Sequence, residues 1–78
     1  MEIKLIIEEC YYVKTRDRIG ETVRTNVFKH ENGIYQAFSN YIFDKEEEYI
    51  GLGESYDEKE ALRLSREALI KDWKESIQ

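Results

Sequence analysis

Residues 53–69 read GESYDEKEALRLSREAL, and this stretch decides the fold. Ser55 and Asp57 each stand three residues before a glutamate, Glu58 and Glu60. Either side chain can accept from the free N–H groups of a first helical turn. Asp57 is the preferred cap, which places Tyr56 just outside the helix, where it is expected to pack on Ala61 as a hydrophobic staple. The carboxylates at 57, 58 and 60 also suit the positive end of a helix dipole. At the helical period, Ala61, Leu62, Ser65, Ala68, Leu69 and Trp73 form one stripe bordered by Leu64 and Ile70. Arg63, Arg66, Glu67, Lys71 and Lys74 fall on or near the other side, with Glu67 and Lys71 in the favourable i, i+4 order. Glu60-Ala61-Leu62 returns one heptad later as Glu67-Ala68-Leu69. Two repeats are too few for a coiled coil. The small side chains Ala61, Ser65 and Ala68 instead let the helix lie close on a sheet, so the stretch closes a core.

That sheet has to come from the preceding residues. Ile3, Leu5, Ile7, Glu9, Tyr11 and Val13 alternate with mostly polar neighbours, which predicts a long first strand with a bulge near Glu8-Glu9. TRDRIGE, with Gly20, reads as a turn, and ETVRTNVFKH (21–30) as a β-branched second strand. Asn32-Gly33 is the strongest hairpin signal in the chain, because both residue types tolerate positive φ. IYQAFSNYIF (34–43) is apolar on both of its faces, as in a strand in the middle of a sheet. A short strand at 49–52 precedes the helix. The fold class is therefore α+β: an antiparallel three- or four-stranded β-meander with one C-terminal amphipathic helix on one face, in a single domain over residues 1–78.

Composition limits the function classes. The 78 residues carry 12 Lys or Arg and 17 Asp or Glu, a formal charge of −5. Residues 1–43 are neutral, and the whole deficit falls after residue 43, chiefly in Asp44-Lys45-Glu46-Glu47-Glu48 and the start of the helix. An acidic domain does not attract phosphate backbones as a body; the acidic run reads as a solvated loop. No apolar run nears the roughly 18 residues needed to cross a bilayer, and the first residues lack a cleavage signal. Cys10 is the lone cysteine, so no internal disulfide forms. A reducing, cytoplasmic setting is expected.

The segment GIYQAF…EYIGLGESYDEKEALRLSREAL resembles the three-stranded-sheet-plus-helix domains of phage-type integrase arm-binding modules and plant ethylene-response DNA-binding domains. Gly33-Ile34-Tyr35-Gln36-Ala37, Leu52-Gly53, Glu60-Ala61 and Glu67-Ala68 carry the likeness, over roughly residues 33–69. The helix is also similar to that of HicB-type antitoxin domains, without their Pro-rich turn. The resemblance implies a helix laid across a meander. Where the DNA-reading families place Arg and Lys on the sheet, residues 34–43 carry none.

Little in the chain suits catalysis. Cys10 and the single histidine, His30, stand on different predicted strands, where a half-buried Cys and an exposed His near a turn are expected. They match no zinc spacing, the acidic run lacks the glycine turn of a calcium loop, and Gly51-Leu52-Gly53 is too short for a phosphate loop. A non-enzymatic chain without cofactor or metal is the expectation. Six tyrosines are many for this length, and one helix covers only one sheet face. If Ile34, Phe38 and Ile42 face the helix, then Tyr35, Tyr41 and Phe43, with Tyr12, form an open aromatic face; the reverse phase puts Ala37 under the helix. The open face is expected to bind a protein partner, a basic one given the acidic loop, or a second copy. Such a chain fits a small acidic inhibitor or accessory protein of a bacterial or mobile-element system. The alternative is a nucleic-acid-binding module using the basic first hairpin: Lys14, Arg16, Arg18, Arg24 and Lys29.

Overall fold

The computed structural model describes residues 7–18 and 20–76. Four strands, β1 (Ile7–Arg16), β2 (Thr22–His30), β3 (Tyr35–Tyr41) and β4 (Gly51–Ser55), precede one helix, α1 (Glu58–Ser76). The strands pair antiparallel in chain order, and α1 lies on one face against β2, β3 and β4. The fold is α+β with a four-stranded meander. The pairing of β1 with β2 slips between Ile7 and Glu9, the bulge that the doubled glutamate predicts; the strand's expected beginning at Ile3 and Leu5 lies outside the described residues.

Local chemistry sets each connection. At the β1–β2 turn, Asp17 accepts from the Glu21 amide through its Oδ1 at 3.0 Å, and Gly20 takes φ 84°. At the β2–β3 turn, Gly33 takes φ 93° while Asn32 stays in the ordinary region and uses its Oδ1 to accept from the Ile34 amide at 3.1 Å. The Asn-Gly pair thus makes a three-residue loop ending in a left-handed glycine instead of a two-residue turn. Asp44 Oδ2 accepts from the Tyr49 amide at 3.0 Å and ties the acidic loop back on itself. Asp57 caps α1, accepting from the Lys59 amide at 3.2 Å. Tyr56 is no staple: it is 73% exposed, beside Gly33. Glu67 pairs with Arg63 at 2.7 Å, and Arg63 also holds Glu60, in place of the expected bond to Lys71.

Odd-numbered strand residues face the helix. Val23, Thr25 and Val27 of β2, Ala37, Ser39 and Tyr41 of β3, and Gly51 and Gly53 of β4 are buried beneath Ala61, Ser65 and Leu69. The core divides in two: Val27, Ala37 and Ala61 at one end, and Val23, Tyr41 and Leu69, with Trp73 and Tyr49 against them, at the other. Between them runs a buried line of hydroxyls, Thr25–Ser39 at 2.7 Å and Ser39–Ser65 at 2.8 Å. Ser65 donates to the Leu62 carbonyl at 2.9 Å. Having spent its one proton there, it accepts from Ser39, which accepts from Thr25. Every hydroxyl is satisfied, which makes so polar a line tolerable in a thin core.

Candidate binding face

The phase of β3 turns Tyr35 and Tyr41 of the expected aromatic face toward the helix side. Tyr41 is 1% exposed, stacked on Phe43 at 4.9 Å between centroids and edge-on to Trp73. Phe43, 46% exposed beyond the strand end, also meets the Trp73 ring. Tyr35 packs against the Val27–Ala37–Ala61 cluster on the helix side. Of the four candidate residues only Tyr12, 55% exposed, stands on the uncovered face. The cause is backbone approach. A Cβ at Gly53 would lie 2.5 Å from the Ser65 amide nitrogen, and one at Gly51 would meet the Ser65 carbonyl and the Leu69 amide. Only a glycine pair admits the helix this closely, and the pair shares its face with Ala37, Ser39 and Tyr41.

Even-numbered residues therefore build the open face, and the pairing arranges them in rows. Lys14, Arg24 and Asn40 stand side by side; Tyr12, Asn26, Phe38 and Leu52 form the next row; Cys10, Phe28, Gln36 and Glu54 the third. Phe28 and Phe38 meet edge-to-face at 5.7 Å. Leu52 is 50% exposed, and Ile50 and Ile42 are exposed at its margin. The Arg24 guanidinium lies 4.6 Å over the Tyr12 ring, with the Lys14 ammonium at 6.0 Å. Lys14 and Arg24 are directly opposite in register, and like charges so placed cost stability.

Of the basic residues, the structure brings Lys14 and Arg24 together at Tyr12, with Arg16 two positions along β1 and Arg18 in the turn. Lys29 is separate: on the helix side, it lies 5.9 Å over the Tyr35 ring and 3.9 Å from Glu8. Neither Cys10 nor His30 is where a sequence reading puts it. Cys10 is exposed, opposite Phe28, because β1 is an edge strand. His30 is 4% exposed. Its Nε2 meets Gln36 Oε1 at 2.5 Å, and Gln36 Nε2 donates to Glu54 Oε1 at 2.9 Å. The amide orientation requires His30 to carry its proton on Nε2.

Phe28, Phe38 and Leu52 are the face residues that a phase with Phe38 toward the helix misses. The signal for the reverse phase is the small-residue register: Gly51 and Gly53 share a side, as do Ala37 and Ser39, and both match Ala61 and Ser65. Among the described residues no group of three His, Cys, Asp or Glu is placed to hold a metal ion, and no helix is long and apolar enough to cross a membrane. Compared with known protein families, curated proteins and solved structures, the chain matches none.

Proposed function

We propose that this chain is a non-enzymatic binding domain that meets a protein partner through the sheet face turned away from α1. The observation that carries this reading is the uncovered row Tyr12–Asn26–Phe38–Leu52, with Phe28 beside it. Exposed apolar and aromatic side chains gathered on one rigid face lose water favourably against a complementary surface. The Lys14–Arg24 row along its margin suits a partner whose apolar patch is edged by carboxylates, in contrast to the basic partner that overall charge suggests.

The test is capture with the tagged chain after nuclease treatment, repeated with a Tyr12→Ala/Leu52→Ala double variant. Binding that survives nuclease and is lost in the double variant, with an unchanged unfolding midpoint, supports the face. Binding indifferent to both substitutions overturns it. A second reading rests on the opposed cations: Lys14 and Arg24 at Tyr12, with Arg16 beyond, suit a phosphate next to a stacked base. In that case binding disappears with nuclease and falls steeply with salt.

A further inference from the structure

We propose that the outer edge of β1 pairs with the same edge of a second copy, antiparallel, joining two four-stranded meanders into one eight-stranded sheet. The backbone edge of β1 is distinct from the open face, with which it shares Tyr12 and Lys14, and the pairing does not depend on that reading.

β1 is the first strand of the sheet, and among the described residues it pairs with β2 alone. The backbone of α1 lies along β2, β3 and β4, and β1 meets the helix through side chains on its inner flank, where Tyr11 packs on the Val27–Ala37–Ala61 cluster. No described strand lies beside its outer N–H and C=O groups. An edge of this kind is a template for a further strand unless it is short, covered, bulged, broken by proline or guarded by charge. β1 has a bulge only at its Ile7–Glu9 end, and its charges are of both signs and segregated along the strand, so they act on the choice of partner. β4, the other edge, is 5 residues long and lies under the helix through its glycines. β1 is 10 residues long, IEECYYVKTR, with no proline.

Charge selects the occupant and its direction. The strand begins with Glu8 and Glu9, ends with Lys14 and Arg16, and carries Tyr11 and Tyr12 between them. Antiparallel pairing about a two-fold near Tyr12 lays the acidic end of each copy beside the basic end of the other. A parallel pairing sets like against like. Glu9 and Lys14 leave the strand on opposite faces, so the attraction acts across the strand pair, inside a Debye length of roughly 8 Å, and not through direct side-chain pairs. One patch meeting itself satisfies the geometry of an isologous dimer. Tyr11, packed on the Val27–Ala37–Ala61 cluster, and Val13 are only half-buried on the helix side, and the partner copy covers their outer flank.

The test is the mass of the full chain in solution over a concentration series, with two charge-reversed edges, Lys14→Glu/Arg16→Glu and Glu8→Lys/Glu9→Lys. The wild type is expected to be a dimer. Each variant alone should dissociate with a constant raised roughly tenfold or more, because like charges are juxtaposed. An equimolar mixture should form heterodimers, read by native mass spectrometry. Leu52→Glu, on the open face, should leave the dimer intact. A monomeric wild type, variants that dimerise alone as the wild type does, a mixture that fails to associate, or a dimer lost in Leu52→Glu would each overturn the proposal.

Discussion

Gly53→Ala puts a methyl group where β4 meets the helix backbone. Its Cβ would lie 2.5 Å from the Ser65 nitrogen and 2.9 Å from Leu64 Cβ, with the Ala61 carbonyl oxygen nearer still. Ordinary contact for such an atom begins at 3.4 Å, so α1 has to lift by about 1 Å, backbone being unable to swing aside as a side-chain tip can. The lift takes the Ser39–Ser65 contact from 2.8 Å out of hydrogen-bonding range and opens a gap over Ala37 and Val27. Overpacking costs about 1–3 kcal/mol and the lost buried hydrogen bond about 1 kcal/mol. The stiffer unfolded chain offsets about 0.4–1 kcal/mol of this. The expected loss is about 2–3 kcal/mol, a large share of the roughly 4–12 kcal/mol that a chain of this length holds. Urea unfolding followed by Trp73 fluorescence and far-UV circular dichroism measures it. Gly20→Ala is the control: that position is open, and its φ of 84° should cost only about 1 kcal/mol. A Gly53→Ala midpoint equal to that of the wild type, or no lower than that of Gly20→Ala, would refute the argument that close backbone approach positions the helix.

The hydroxyl line should respond in order of which donor is orphaned. Ser39→Ala and Ser65→Ala each leave a buried O–H without its acceptor and should cost about 1–3 kcal/mol. Thr25→Val removes only the terminal donor and should cost least; urea midpoints that place Thr25→Val at or above the other two contradict the assigned directions. Asp57→Ala removes the helix cap and should lower stability by about 1 kcal/mol, and no change by thermal or urea unfolding would mean that the cap is dispensable. Burial, then the Asp17 carboxylate beside it, pushes the Tyr41 phenol up from its ordinary 10.0, and Tyr11 is raised by burial and Glu58. Below about pH 10 folded and unfolded chains both keep these protons, so stability is full. Above it the unfolded chain ionises first, and stability falls as pH climbs toward the folded values. Urea midpoints at about pH 8 and about pH 11 should differ, and less so in Tyr41→Phe; equal wild-type midpoints would remove the raised phenols from the account.

Much of the architecture is legible in local chemistry. Asp57 announces the helix start because a short carboxylate there satisfies an amide that has no helical partner. The doubled glutamate announces the bulge, and Gly33 the second turn. These depend on groups within a few residues of one another. Contacts between distant segments are less legible. His30 reads as an exposed side chain near a turn, yet it is buried against Gln36, a partner supplied by the neighbouring strand. Cys10 reads as half-buried, yet it is exposed because, among the described residues, no strand lies beyond β1.

The binding face shows the division most sharply. Sequence alone determined that this chain makes a meander with one amphipathic helix, because period and turn residues act locally; an open sheet face was the expectation, because one helix covers one face. It left open which face that is, since residues 34–43 are apolar on both sides. The tertiary structure decided it through a contact of backbone with backbone: Gly51 and Gly53 admit α1 where a side chain would hold it off. That single choice of phase buries Tyr41 and turns Phe28, Phe38 and Leu52 outward beside Tyr12, and it gathers Lys14 and Arg24 on a face of a chain whose net charge is −5.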